Sequence, residues 1–119
     1  LDTPMDKGDV KLGNGVVLSI MDAGIIAHKA LLREMEEICR DLGLSINYDM
    51  MTAGGTDADN IHKAYDGIIT MTLSIPTRYM HSHHLIIHRR DYMQTVEAIA
   101  EFCRRLSWDK VSAMRTAIQ

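Results

Sequence analysis

Residues 75–84 read Ile75-Pro76-Thr77-Arg78-Tyr79-Met80-His81-Ser82-His83-His84, and they directly follow an alternating apolar run from Ile68 to Ile75. Alternation with a period of two predicts a strand with a buried face. Pro76 ends this strand because proline has no N–H to donate to a sheet. The residues that follow predict a polar loop at the end of a strand, and the loop contains three histidines and one arginine.

This loop has two interpretations on its residues alone. Imidazole is the commonest side-chain ligand for zinc and related metals, and open α/β sheets place their binding sites beyond strand ends. A metal site is therefore one hypothesis. The other is a solvated loop whose histidines bind nothing, because His-x-His-His without cysteines or carboxylates in a known frame is a weak motif.

The composition limits the possible classes of protein. A chain of 119 residues with 46% hydrophobic and 24% charged residues predicts one globular domain over residues 1–119. The net charge of −3 provides no basic field for binding nucleic acid. No apolar run approaches the roughly 20 residues that cross a bilayer, and Leu1-Asp2-Thr3-Pro4 does not resemble a signal peptide. We expect a soluble, cytoplasmic protein with no membrane partner.

Two further features concern the state of the chain. Because the sequence begins with leucine rather than methionine, we expect it to be processed, excerpted or part of a longer polypeptide. Cys39 and Cys103 both fall within predicted helices and lack redox-type spacing, which predicts buried free thiols rather than a disulfide.

The periodicity along the chain predicts alternating strands and helices. After a loop over residues 1–15, the first predicted elements are a strand at Val16–Met21 that is covered on both faces and a helix from His28 to Leu42 with Gly43 as its C-terminal cap. A strand at Ile46–Met51 follows, and then a short helix that starts at the capping box Thr56–Asp59 and ends near Ala64. The last predicted elements are the strand at Ile68–Ile75, a brief extended piece at Leu85–Ile87 and a helix from Arg90 to Leu106. This order predicts a layered α/β sheet.

The last predicted helix has an apolar stripe that we expect to face the core, formed by Tyr92, Val96, Ile99, Cys103 and Leu106. Asp91 is expected to interact with the dipole of this helix. Residues 109–119 are weakly patterned and are expected to form a tail.

Other polar residues have ordinary explanations beside functional ones. Gly54-Gly55-Thr56-Asp57-Ala58 can bring backbone N–H groups or a carboxylate to a ligand, but a tight turn that requires glycine is the favoured explanation. Asp22, His28 and His62 are better explained as turn, capping or surface residues. Arg78 can orient an anionic or carbonyl group, or it can simply be solvated. No Gly-x-Gly-x-x-Gly or Walker motif supports nucleotide binding.

Three motifs together resemble one family. They are Leu12-Gly13-Asn14-Gly15 leading to Ile20-Met21-Asp22, Gly54-Gly55-Thr56-Asp57-Ala58 followed by Ile61-His62, and Ile75 to Ser82. Their residues and order resemble the C-terminal third of the dinuclear-metal glutamyl aminopeptidases and tetrahedral aminopeptidases, including frv-operon-type proteins sometimes labelled endoglucanases. The resemblance extends from Leu1 to about Leu106.

The resemblance implies a fold and a site. The fold is the C-terminal part of the α/β/α layered sheet of the zinc-peptidase type. His81 matches the histidine of the family's Arg-Tyr-x-His-Ser motif, so it is expected to ligate one ion of a zinc or cobalt pair. Thr56, Asp57 and Arg78 are expected to shape the substrate pocket. The resemblance assigns no role to the histidines that follow His81.

The sequence also departs from the family. The family's other metal ligands and general base are a His-x-Asp pair, a bridging aspartate, a Glu-Glu pair and a further aspartate, and none has a counterpart here. Asp2-Thr3-Pro4 resembles the segment just after the last aspartate. The small inserted β domain that the family uses in assembly is also absent. A two-metal hydrolase must lower the pKa of bound water from about 15.7 toward about 7 and supply a base. The resemblance therefore implies an aminopeptidase fragment, with peptides as substrates, that is inactive alone and contains no catalytic base.

Two other classes of function remain open. One is a non-catalytic metal-binding or scaffolding domain whose histidine loop captures an ion. The other is a glycoside hydrolase, which needs paired carboxylates, although helix capping better explains Asp57 and Asp59. A partial sheet exposes an edge strand and an apolar face, so we expect a homo-oligomer.

Overall fold

The computed structural model describes residues 12–21, 26–50, 60–61, 63–64, 67–79 and 83–116, and eight helices and strands have defined bounds within these ranges. They are β1 (Val16–Met21), α1 (Lys29–Asp41), β2 (Ile46–Met50), β3 (Thr72–Ser74), β4 (Thr77–Arg78), β5 (Ile86–Ile87), α2 (Arg89–Arg105) and α3 (Trp108–Thr116). This mixture of packed helices and strands confirms the predicted α/β class. No helix in these described ranges is both long and apolar enough to cross a membrane.

Strand β1 is the centre of the structure. It pairs in parallel with β2 on one side and antiparallel with β3 on the other, in the order β2-β1-β3. Val16, Val17 and Leu18 are almost completely buried, which confirms that the strand is covered on both faces. The face that carries Val16 and Leu18 packs against residues of α1 and α2: Met35, Ile38, Cys39 and Ala98.

Helix α1 forms as its periodicity predicts. Its buried side chains are Met35, Ile38 and Cys39, at helical spacing along one face. Gly43, which follows the C-terminal cap residue Leu42 of α1, adopts φ +69. The Leu44 N–H donates to the Cys39 carbonyl at 2.8 Å and the Gly43 N–H to the Arg40 carbonyl at 3.1 Å, which is the Schellman arrangement.

The strand predicted over Ile68–Ile75 is wrong for its first half. Only Thr72–Ser74 forms a strand, paired with Val17–Ser19 of β1. The Thr70 hydroxyl donates to the carbonyl of Ile68 at 2.8 Å. Such a local bond competes with sheet pairing, so alternation of apolar residues overestimates the strand.

Helix α2 has the predicted length but buries a different face. Its buried residues are Asp91, Thr95 and Ala98. The predicted core stripe is exposed instead: Tyr92, Val96 and Ile99 are 45–47% accessible, Leu106 is 44% accessible and Cys103 is exposed. The prediction was wrong because Asp91 has polar partners in the interior and the small Ala98 lets the helix lie close to β1.

A third helix occupies part of the predicted tail. α3 begins after Ser107, whose hydroxyl accepts the N–H of Lys110 at 3.2 Å as an N-terminal cap. Met114 is buried, and the Lys110 ammonium contacts the Glu34 carboxylate of α1 at 2.5 Å. These long-range contacts were not visible in the weak periodicity of this segment.

Candidate functional site

The predicted histidine loop is the connection of a β-hairpin. β4 and β5 pair antiparallel, with Thr77 opposite Ile87 and Arg78 opposite Ile86. Residues 79–85 join the two strands and include His81. The Thr77 hydroxyl donates to the Ile75 carbonyl at 2.9 Å across the buried Pro76, which fixes the turn from β3 into β4.

Tyr79 begins this connection in an unusual backbone conformation. Its φ is +61, in the left-handed region that favours glycine. A bulky residue held there carries backbone strain of about 1–3 kcal/mol, and such strain is concentrated at functional loops. The chain therefore changes direction at Tyr79, immediately after β4.

Of the four predicted site residues, the structure describes one. Arg78 lies in β4, where it is half-buried. Thr56, Asp57 and His81 lie outside the described residues, as do Asp22 and His62, so their roles stay predictions. His83 and His84, further along the hairpin connection, are exposed.

The sheet topology does not place the two predicted site segments, around Thr56 and around His81, at neighbouring strand ends. Because β1 is parallel to β2 and antiparallel to β3, the carboxyl ends of β2 and β3 lie at opposite ends of β1. Thr56 follows Met50 by six residues and His81 follows Ser74 by seven. A meeting of the two segments would therefore depend on the connections that follow β2 and β4 rather than on neighbouring strand ends.

Two histidines at helix starts differ in their roles. The His88 ring caps α2, since its Nδ1 accepts the N–H of Arg90 at 3.1 Å. His28 is the N-terminal cap residue of α1, but its side chain makes no capping hydrogen bond, and its buried Nδ1 lacks a partner within the described part of the chain. The expected capping role therefore holds for the position of His28, but not for its side chain.

Asp91 was expected only to interact with the dipole of α2, but the structure shows a second role for its side chain. Its side chain is fully buried and accepts the N–H of Gly13 at 2.8 Å and the N–H of Gly15 at 2.9 Å, one on each oxygen. The neighbouring Arg90 guanidinium donates to the Gly13 carbonyl at 2.7 Å. The start of α2 thus holds the loop that leads into β1. The Gly13-Asn14-Gly15 pattern was a signal for such a contact.

Shifted pKa values mark side chains of the structural frame. Burial, and then the nearby Glu36 carboxylate, raise the pKa of the Cys39 thiol. Burial and a hydrogen bond to Glu36 raise the pKa of Tyr48. Hydrogen bonds from Arg105 and then Arg104 lower the pKa of Glu101. The partners Glu36, Arg104 and Arg105 lie on α1 or α2.

The described side chains do not form a metal centre by themselves. Within the described ranges, no group of three or more histidine, cysteine, aspartate or glutamate residues is placed to hold a metal ion. A site that includes His81 would therefore need donors from outside these ranges.

Comparison with known proteins identifies the family. The family model of the M42 glutamyl aminopeptidases matches residues 2–98. This chain belongs to the M42 family. The match confirms the resemblance read from the glycine-rich and histidine-containing motifs.

Two curated M42-type relatives show how much of the family length is present. The lysyl aminopeptidase of Pyrococcus furiosus is 32% identical over 97 residues, which cover 79% of this chain and 27% of that protein. The glutamyl aminopeptidase of Lactococcus lactis subsp. cremoris is 27% identical over 105 residues, which cover 88% and 29%. The chain spans 25–30% of the length of the curated relatives that it matches.

Solved structures support the same fold. A TET aminopeptidase from a marine sediment thaumarchaeote superposes with a TM-score of 0.85 at 27% identity, covering 87% of this chain and 29% of that one. The TET1 peptidase of Pyrococcus horikoshii superposes with a TM-score of 0.66 at 32% identity, covering 84% and 30%. That peptidase is described as able to assemble into a tetrahedron or a large octahedral shell. The M42 chain described here therefore has the predicted zinc-peptidase type of layered fold.

Proposed function

We propose that this chain is the C-terminal part of the catalytic domain of a metal-dependent aminopeptidase, which hydrolyses N-terminal residues from peptides. The observation that carries the proposal is the family match over residues 2–98 of a chain that spans only 25–30% of its relatives. M42 aminopeptidases are generally metal-dependent. We propose aminopeptidase activity for the complete polypeptide, of which this chain would be the C-terminal part.

In that polypeptide His81 would ligate one of two divalent ions, zinc or cobalt. Its support is the match to the Arg-Tyr-x-His-Ser motif and its place in the β4–β5 connection, directly beyond the strained Tyr79. Arg78, at the last position of β4, and Thr56 and Asp57 would shape the substrate pocket. The metal ions would supply the activated water, and no residue of this chain is assigned as the base.

The 119-residue chain is proposed to be inactive by itself. One histidine cannot hold two ions, and the resemblance assigns no residue of this chain to the family's Glu-Glu pair, since Glu36-Glu37 lies on α1. The partners proposed for the complete protein are a peptide substrate and further copies of itself, in the cytoplasm. The residue preference is not assigned, because the two curated relatives are named for different residues, lysine and glutamate.

An activity assay tests the proposal. The chain would be purified with zinc or cobalt and offered lysyl, glutamyl and leucyl p-nitroanilides, alone and after fusion to the upstream two-thirds of an M42 aminopeptidase. We expect no hydrolysis by the chain alone and hydrolysis by the fusion. His81→Ala should abolish the fusion's activity, whereas His84→Ala, in the same connection, should leave it intact. Hydrolysis by the chain alone, free of host peptidases, would contradict the proposal.

A second candidate is a non-catalytic metal-binding domain, favoured by the exposure of His83 and His84 on the same hairpin connection. Calorimetric titration with zinc separates the two. Stoichiometric binding that is lost in the His83→Ala/His84→Ala variant and kept in His81→Ala would support this candidate. Binding that depends on His81 would support the aminopeptidase site.

A further inference from the structure

The first turn of α1 contains polar groups that neither the fold nor the proposed function uses. The Leu32 N–H donates to the His28 carbonyl at 2.9 Å. Helix geometry leaves the three N–H groups before it, of residues 29–31, without an intrahelical partner. Helix α1 is described over its whole length, and it has no side-chain cap and no acidic residue in its first turn. Nothing in the helix therefore balances the partial positive charge of this end.

A buried imidazole lies at the same end of α1. His28 is 8% exposed, and its Nδ1 is buried without a hydrogen-bond partner among the residues that the structure describes. His88 shows where this atom lies in an N-terminal cap residue, because its backbone is similarly extended and its Nδ1 accepts the N–H of Arg90 at 3.1 Å. One acceptor at the end of α1 would therefore satisfy both the His28 ring and the unused N–H groups.

The first residue of α1 adds a full positive charge. Lys29 is exposed, and a cation in the first turn of a helix is unfavourable beside the helix dipole. A bound anion would make the same side chain favourable. Ala30 and Leu31 are half-buried and uncharged, so they bring no repelling charge to an anion at this end.

The chain fixes this helix end at one edge of the sheet. The Ala27 N–H donates to the Ile20 carbonyl at 2.8 Å, and Ile26 forms an antiparallel bridge with Met21, so α1 begins beside the end of β1. Because β1 and β2 are parallel, their carboxyl ends lie at the same edge. Open α/β sheets bind ligands beyond the carboxyl ends of their strands, and helix N-termini there bind anions.

We propose that the N-terminus of α1 binds a small oxyanion, which is a carboxylate or a phosphate group. The anion accepts from the N–H groups of Ala30 and Leu31 and from Nδ1–H of His28, while the Lys29 ammonium balances its charge. A neutral imidazole can carry its proton on Nδ1, so this contact does not need a protonated ring. The inference rests on α1 and does not depend on peptidase activity.

NMR titration of the isotopically labelled 119-residue chain tests the site. Sodium phosphate and sodium acetate would be added separately at constant pH, with the ionic strength held constant by sodium chloride. We expect the amide signals of Ala30 and Leu31 to shift along a saturable curve, with a dissociation constant of about 1 mM for the better anion. Comparison of the two anions separates a phosphate site from a carboxylate site, and saturation by either supports the proposal.

Two variants and a matched control locate the binding. His28→Asp should weaken it about tenfold, because the new carboxylate caps the same N–H groups and repels the anion. Lys29→Glu changes an exposed side chain, so it should fold normally and also weaken binding about tenfold. The control is His88→Asp at α2, whose first turn already has a side-chain cap, and it should leave binding at α1 unchanged.

Two results would overturn the proposal. One is the absence of a saturable shift at Ala30 and Leu31 with either anion, including a shift that sodium chloride alone reproduces. The other is a dissociation constant that neither His28→Asp nor Lys29→Glu changes, because the anion would then bind away from this helix end.

Discussion

At the scale of single residues, one buried carboxylate connects the first turn of α2 to the loop that leads into β1. Asp91 accepts backbone N–H groups from Gly13 and Gly15 and has no exposed surface. Asp91→Ala would leave the buried Gly15 N–H and the partly buried Gly13 N–H without this partner. An unsatisfied buried N–H costs about 1–3 kcal/mol, and the partly buried one should cost about 1 kcal/mol, so we expect the free energy of unfolding to fall by about 2–4 kcal/mol.

Urea unfolding followed by circular dichroism measures this loss. The control is Asp109→Ala, which removes an exposed acidic residue from the first turn of α3 and should cost less than about 1 kcal/mol. Equal losses in the two variants would show that the two hydrogen bonds contribute nothing beyond a general charge effect.

The two glycines of the same loop provide a second comparison. Both have positive φ, +87 at Gly13 and +96 at Gly15. A Cβ at Gly15 would lie 2.4 Å from the Ser45 carbonyl oxygen, whereas at Gly13 its nearest neighbour would be His88 Cδ2 at 3.6 Å. We expect Gly13→Ala to lower the free energy of unfolding by about 1–2 kcal/mol through backbone strain. Gly15→Ala should lower it distinctly more, because the backbone of Ser45 must also move. Urea midpoints in the reverse order would contradict this account.

Sequence reasoning identified these glycines but not their partner. Asp91 is 76 residues from Gly15, and its position near the start of α2 suggested only an interaction with the helix dipole. A contact at that separation depends on how the helix packs, which local patterns do not encode. The same limit applies to the predicted site residues Thr56, Asp57 and His81, because local patterns do not encode whether they lie close together.

At the scale of elements, prediction succeeded where the most apolar face was also the buried face. Helix α1 meets that condition: it lies within the predicted range His28–Leu42, it ends at the predicted glycine cap, and its buried residues are apolar. Helix α2 does not, because its stripe is exposed and its interior face is polar or small. The periodicity predicted the extent of α2 correctly but assigned its buried face wrongly.

The C-terminal half of α2 carries a charge network with a predictable response to pH. Glu101 accepts from Arg104 at 2.7 Å and from Arg105 at 2.9 Å, and Arg105 also reaches Asp41 of α1 at 2.8 Å. Because these bonds lower the pKa of Glu101 in the folded state, its contribution is present above its unfolded pKa. The contribution is lost as the pH falls through the lowered folded value.

The stability difference between wild type and Glu101→Gln should therefore be largest near neutral pH and should shrink below pH about 4. Thermal melts across this range measure it. Glu97→Gln, on the same helix but exposed, is the control and should show a smaller change in the difference. A difference that stays constant with pH would show that Glu101 acts through packing rather than charge.

At the scale of the whole molecule, the fold is complete enough to bury β1 on both faces, yet the predicted site is not complete. Of this site, the described residues supply a hairpin, a strained turn at Tyr79 and Arg78, which is predicted to shape the pocket. They contain no cluster of metal donors. A fold that forms without its metal ligands should be stable without metal.

Zinc should therefore have little effect on the stability of the 119-residue chain. A ligand that binds only the native state stabilises it by about 2.7 kcal/mol at 100 times its dissociation constant, so a tight two-metal site would raise the melting temperature clearly. We expect zinc at about 100 μM, or its removal by EDTA, to shift the melting temperature by less than about 1 °C. Comparison of wild type with His81→Ala and with the His83→Ala/His84→Ala variant locates any shift that does occur. The contradicting result is a rise in melting temperature that EDTA reverses, that persists in His81→Ala and that is lost in the His83→Ala/His84→Ala variant. The hairpin connection would then bind zinc without upstream ligands, so the metal site would not need the rest of the enzyme.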